Sequence, residues 1–137
     1  MRIKFISSFL LSTSLLFQGA EVFAKPYAFV TNQLDNTVSV LDIATDQVIK
    51  TITVTGKPVG VAINHAQQQV YISTPQGEGF SVIDIKTLEN IKQVKVGGAS
   101  VGIAASPDGK RIMVADWYEN SISIFNSQTF KLEQKLT

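Results

Sequence analysis

Three ten-residue segments, NTVSVLDIAT from Asn36, EGFSVIDIKT from Glu78 and NSISIFNSQT from Asn120, repeat one pattern at a fixed interval of 42 residues. The register holds without a gap: AFVTN from Ala28 corresponds to VYIST from Val70, and that to IMVAD from Ile112. A period of about 20–50 residues marks a repeat architecture, and the content of the unit selects which one. Here the content is strands. The complete unit carries four short runs rich in Val, Ile, Thr, Phe and Tyr, at residues 59–64, 70–74, 80–85 and 91–96. No stretch after Ala24 keeps a helical period. Between the runs lies turn chemistry: SPDG from Ser106, where Pro107 pre-sets φ and Gly109 accepts a positive one, and Asp42 and Asp84, whose carboxylates accept from backbone N–H groups just ahead.

Four short antiparallel strands in about 40–45 residues describe one blade of a β-propeller. In FSVIDI, Phe80 and Val82 project one way and Ile83 and Ile85 the other, so apolar groups fall on both faces. That suits a sheet pressed between two neighbours, whereas a freestanding sheet shows one polar face. A β-sandwich, the rival all-β reading, predicts no constant period. The fold expected is therefore all-β, about three four-stranded blades: residues 25–56, 57–98 and 99–137. Gly60 and Gly102 fall in innermost strands, where close approach explains them better than phosphate binding does.

The first 24 residues stand apart. Arg2 and Lys4 precede a short apolar stretch at residues 5–17, and Val22, Phe23 and Ala24 follow as a peptidase site. This is the layout of a cleaved secretory signal, and it predicts a periplasmic or secreted protein. The apolar stretch is shorter than the roughly 20 residues that cross a bilayer, so no membrane span is expected after cleavage. Arg2, Lys4 and Glu21 leave with the signal, and 12 basic and 11 acidic residues fall to ten of each. A balanced chain without a basic stripe offers nothing to a phosphate backbone, which argues against nucleic acid as a partner. With no Cys anywhere, disulfides, thiolate metal sites and thiol nucleophiles are excluded.

At the level of residues, FVTNQLDNTVSVLDIATDQVIKTITVTGKPVGVAIN, starting at Phe29, resembles the repeat of the YVTN-family β-propellers of the WD40-like superfamily. The third unit departs most, with Asn126 where the others carry Asp42 and Asp84. The resemblance implies an exported bacterial propeller. It implies no single activity, because such propellers include binding and surface proteins, lactonases and the propeller parts of haem and quinone enzymes. In relatives of that kind a closing innermost strand comes from the far C-terminus. Eleven strands are expected here, three blades less one innermost strand, and closed propellers need about four to eight blades. Two bare blade faces, each with about six apolar side chains at roughly 1.5–3 kcal/mol apiece, leave a deficit comparable to a domain's whole stability. Hence the expectation of either an N-terminal piece of a longer propeller or copies that self-associate through open faces.

Alternating strand direction puts the variable loops NQLDN, TPQGE and DWYEN on one face, beside Lys57 and Ala99 in the links between units. A ligand- or partner-binding site is expected there: Trp117 and Tyr118 as aromatic anchors, and Asp35, Lys57, Gln76, Asp116 and Glu119 as polar contacts. The alternative for Trp117 is packing over the neighbouring blade. His65, the only His, occupies a turn and has no second His or Cys to help bind a metal. No catalytic constellation, metal or cofactor is indicated by these residues. The functional expectation is an exported, non-catalytic binding or interaction module. Its alternative is a remnant or subunit of a propeller enzyme, haem- or quinone-linked or lactonase-like, whose active-site residues lie outside this chain.

Overall fold

The computed structural model describes residues 26–137. The secretory signal expected over residues 1–24 lies outside them. The described chain is all-β apart from one turn of 3-10 helix, Pro75–Gly77. Its eleven strands form three antiparallel sheets in chain order. The first comprises β1 (Tyr27–Asn32), β2 (Thr37–Asp42) and β3 (Gln47–Thr53). The second comprises β4 (Val61–Asn64), β5 (Gln69–Thr74), β6 (Gly79–Asp84) and β7 (Glu89–Lys95). The third comprises β8 (Ser100–Ala105), β9 (Arg111–Asp116), β10 (Ser121–Asn126) and β11 (Leu132–Leu136). β4 starts later than the sequence predicts because Val59 and Gly60 both oppose Ser73 in a bulge. The Val59 N–H donates to the Ser73 carbonyl and the Ser73 N–H to the Gly60 carbonyl, each at 3.0 Å. The Ser73 hydroxyl accepts from the Gly60 N–H at 2.8 Å and donates to the Val101 carbonyl at 2.5 Å. Gly60 is required there, since a Cβ would lie 2.8 Å from both Ser73 Oγ and the Val101 oxygen.

The 42-residue period reaches into backbone detail that composition does not signal. Each sheet breaks register at the same place, between Val40 and Leu41, Val82 and Ile83, and Ile124 and Phe125. Left-handed residues recur at Asn36, Glu78 and Asn120, and again at Asp46, Leu88 and Phe130. Positive φ is unusual for Leu and Phe, and hydrogen bonds hold both: the Leu88 N–H donates to the Asp84 carbonyl and the Phe130 N–H to that of Asn126, each at 2.9 Å. The turns ahead of them are built by side chains. Asp42 Oδ1 accepts from Ala44, and Asp84 Oδ1 from Lys86 and Thr87. Asn126 Oδ1 does the same for Gln128 and Thr129, so an amide replaces a carboxylate without loss of the turn.

Two hydrophobic layers separate three sheets. Val38, Val40, Ile52 and Val54 of the first segment meet Val70, Ile72 and Ile83 of the second. On its other face the second sheet presents Tyr71, Phe80, Val82 and Val94 to Ile112, Val114 and Phe125 of the third. The middle sheet is thus covered on both sides, which is why β5 and β6 alternate between two apolar sets rather than apolar and polar. Phe80 anchors the second layer, edge-on to Tyr71 at 6.1 Å and to Phe125 at 5.5 Å between ring centroids. At one end of this layer Asn64 Nδ2 donates to the Tyr71 hydroxyl at 2.9 Å and across to the Gly109 carbonyl at 2.8 Å. The outer faces of the first and third sheets leave Val30, Val48, Ile122 and Leu136 exposed.

Candidate functional site

Backbone hydrogen bonds gather the variable loops at one end of the stack. The Lys57 N–H donates to Asn36 Oδ1 at 2.9 Å, which holds Lys57 in a left-handed conformation (φ 58°). The Gln76 N–H donates to the Gly56 carbonyl at 3.0 Å, and the Trp117 N–H to that of Ala99 at 3.1 Å. Between these loops opens a cleft of about 290 Å³, lined by Gln33, Lys57, Pro75, Gln76, Ala99, Val101, Trp117 and Tyr118. One cation, two amides and two aromatic rings therefore converge around a small apolar floor. The rings are open to solvent, Trp117 at 71 % and Tyr118 at 81 %. The Lys57 ammonium is tethered to the Leu34 carbonyl at 3.0 Å.

Of the seven residues expected on this face, the fold brings Lys57, Gln76, Trp117 and Tyr118 together around the cleft. The other three are employed elsewhere. Asp116 Oδ1 accepts from the Tyr118 and Glu119 N–H groups, both at 2.8 Å, and so builds the turn that carries the aromatics. Glu119 pairs with Lys135. Asp35 is exposed in the β1–β2 turn and does not line the cleft. Sequence reasoning missed Gln33 and Pro75. Both sit in the variable loops already singled out, but which loop residue faces inward depends on turn geometry and left no composition signal.

His65 lies in the β4–β5 turn, beside a second cleft of about 240 Å³ that also includes Tyr27, Phe29, Ile63 and Ile85. Burial pushes the Tyr71 hydroxyl up against the opposing hydrogen bond from Asn64. Asp108 is held down by the Ser106 hydroxyl and the Lys110 N–H. Among the described residues no three His, Cys, Asp or Glu side chains cluster together.

The family model for the cytochrome D1 heme domain matches residues 24–137. No curated protein matches the sequence. Among solved structures, hydrazine synthase from Kuenenia stuttgartiensis superposes with a TM-score of 0.74 at 24% identity, over 90% of this chain and 39% of its own. Apo AztD from Citrobacter koseri superposes at 0.65 with 16% identity, over 75% of this chain and 29% of its own. The dihydro-heme d1 dehydrogenase NirN, in complex with DHE, superposes at 0.70 with 17% identity, over 79% and 24%. At these identities the superpositions speak for the fold alone. The chain spans well under half of each of these relatives.

Two expectations are corrected by the family match. The first is assignment to YVTN-type, WD40-like propellers. The residues behind it are β-branched strand positions, turn-building Asp42 and Asp84, and the close-approach Gly60, which report strand and turn geometry and not a lineage. The second is the expectation of a non-enzymatic module, which rested on finding no catalytic constellation within one short chain; a match to a haem-domain family overturns it. Residues 24–137 match the family model across the whole described structure, and the chain belongs to the cytochrome D1 heme domain family.

Proposed function

We propose that the described residues form three successive blades of a β-propeller in a haem-linked, or otherwise cofactor-linked, oxidoreductase, exported by the secretory signal expected at its N-terminus. The observation that carries this reading is the family match over residues 24–137. The stacking supports it. Tyr71, Phe80, Val82 and Val94, which the third sheet covers, correspond at the 42-residue interval to Met113, Ile122, Ile124 and Leu136 on the third sheet itself. That outer face repeats a surface built to be covered, and Gly102 and Ala104 lie beside Met113 and Ile122 along it. Further blades, in one longer ring, are the covering this reading assigns, which accords with relatives of which the chain spans 24% to 39%. NirN is described as a dihydro-heme d1 dehydrogenase, the class of chemistry the reading borrows.

The described residues do not fit a haem by themselves. Haem iron takes an axial His, Cys, Met or Tyr. His65 is exposed in a turn, and Met113 lies on the open face of the third sheet. The Tyr71 hydroxyl is buried and engaged by Asn64 and Gln69, and Tyr27 and Tyr118 line clefts of only about 240 and 290 Å³. The first cleft, about 290 Å³, stands at the bottom of the roughly 300–1,000 Å³ range of ordinary ligand sites, and the second, about 240 Å³, falls below it. The part assigned to this chain is therefore positional. Its sheets supply rigid wall, and the Trp117–Tyr118 turn with Lys57 and Gln76 offers flat apolar and polar contacts at the loop end of the ring.

The test is the absorption spectrum of the protein purified from its own cells together with the polypeptide that covers its outer blade face. A chromophore beyond the aromatic band in that assembly supports the reading. A colourless assembly refutes it.

A further inference from the structure

The buried side-chain oxygens that lack a hydrogen-bond partner among the described residues are three, and all fall in one row of the third sheet: Ser100 Oγ, Asp116 Oδ2 and Ser121 Oγ. Ser100 is paired with Asp116 across β8 and β9, and Ser121 with Asp116 across β10 and β9. Directly opposed residues of an antiparallel pair share a face, with Cβ atoms about 4.5–5.5 Å apart. That face is the one on which Ile112 and Val114 meet the middle sheet, so the row closes the loop end of a buried layer. Ser100 is fully buried and Ser121 is 3% exposed. Above them runs the Gly97–Gly98 link. Gly98 has φ 64°, and a side chain there would fall on the Asp116 carboxylate. Because Oδ1 is fixed by the Tyr118 and Glu119 N–H groups, Oδ2 is held inward.

The equivalent positions in the other two sheets are closed. Thr74 Oγ1 accepts from Gln93 Nε2 at 2.9 Å, and Asn32 Nδ2 donates to Thr37 at 3.0 Å and Ser39 at 2.8 Å. The third unit alone places a carboxylate in this row and leaves its oxygens open. A buried polar group without a partner is costly, and a charged one more so. Nor does a side chain neutralise it: the ion pairs of the described residues use Glu78, Glu133 and Glu119. A set of oxygens with one negative charge and no facing ammonium or guanidinium is donor chemistry for a hard cation.

We infer that Ser100, Asp116 and Ser121 hold one small hard cation, Ca²⁺ or Na⁺, between the second and third sheets. A single carboxylate places the site at the weak end of protein Ca²⁺ affinities, about 10⁻⁴–10⁻³ M. The inference does not depend on a haem-linked function. Its consequence is local: the ion ties the turn bearing Trp117 and Tyr118 to the Gly97–Gly98 link and so sets the shape of the cleft.

The full chain is titrated with Tb³⁺ as a Ca²⁺ probe, exciting Trp117, which stands one residue from Asp116. A second arm compares melting in NaCl, CaCl₂ and choline chloride. The expected result is sensitised Tb³⁺ emission displaced by Ca²⁺, or a rise in Tm specific to Na⁺, with affinity falling at least tenfold in Ser121→Ala and Asp116→Asn. Ser121→Ala, which removes one hydroxyl, carries the test should Asp116→Asn fail to fold. Equal melting in all three salts without sensitised emission overturns the inference and leaves an internal water as the occupant. Emission that persists at unchanged affinity in Ser121→Ala overturns it as well.

Discussion

Replacing Phe80 by Ala probes the layer between the second and third sheets at its most crowded point. Phe80 is wholly buried and stands edge-on to two rings, Tyr71 and Phe125. Truncating a buried Phe costs about 3–5 kcal/mol, and each aromatic partner accounts for roughly 0.5–1.5 kcal/mol within that range. With two such partners lost, the expected cost is about 4 kcal/mol, a large share of the roughly 5–15 kcal/mol that holds an ordinary domain together. Ile122 is the internal control. It occupies the same repeat position 42 residues on, yet its face is uncovered and 43% of its surface is open. Ile122→Ala should cost only about 1 kcal/mol in the chain alone, well below the roughly 2–5 kcal/mol of a buried site. Urea unfolding followed by far-ultraviolet circular dichroism measures both, with the slope showing whether the same surface is exposed. Equal losses at the two positions, or a loss below about 1.5 kcal/mol at Phe80, would refute the stacking that distinguishes them.

Asn64→Ala removes the donor that bridges the Tyr71 hydroxyl and the Gly109 carbonyl, and should destabilise by about 2 kcal/mol in the same urea assay. Gly60→Ala forces a methyl against Ser73 Oγ and the Val101 oxygen; it should lower Tm by several degrees, whereas a neutral outcome would contradict the close approach of β4 and β8. Trp117→Ala, at a site 71% exposed, should leave stability within about 0.5 kcal/mol by thermal melting while abolishing any ligand-dependent change at the cleft. Burial raises the Tyr71 pKa above 10.0, so the folded chain keeps a proton that the unfolded chain releases. Its contribution is complete below pH 10.0 and is lost as pH rises from there through the folded value; alkaline melts of Tyr71→Phe should show a shallower decline.

The sequence spoke clearly wherever a physical demand repeats. Strand positions, the two apolar faces of FSVIDI and the turn acceptors Asp42 and Asp84 recur every 42 residues, and repetition separates scaffold from accident. Left-handed Leu88 and Phe130 escaped because no glycine announces them; backbone hydrogen bonds from the preceding turn hold them there. At the loop end, Lys57, Gln76, Trp117 and Tyr118 were legible as variable residues on one face, while Asp116 and Glu119, equally variable, are bound into a turn and an ion pair. Residue type does not reveal which partner a loop carboxylate finds. Lineage was hidden for a related reason: strand and turn residues are shared by propellers with different chemistry, and a haem-domain assignment does not follow from Val, Asp and Gly spacing.

Amide hydrogen exchange on the chain alone tests the stacking most directly. Protection should be greatest in β5 and β6, whose sheet is covered on both faces, with β1 and β11 exchanging at least tenfold faster. Uniform protection across all three sheets in a monomer would mean that the outer faces need no covering, and the account would fail.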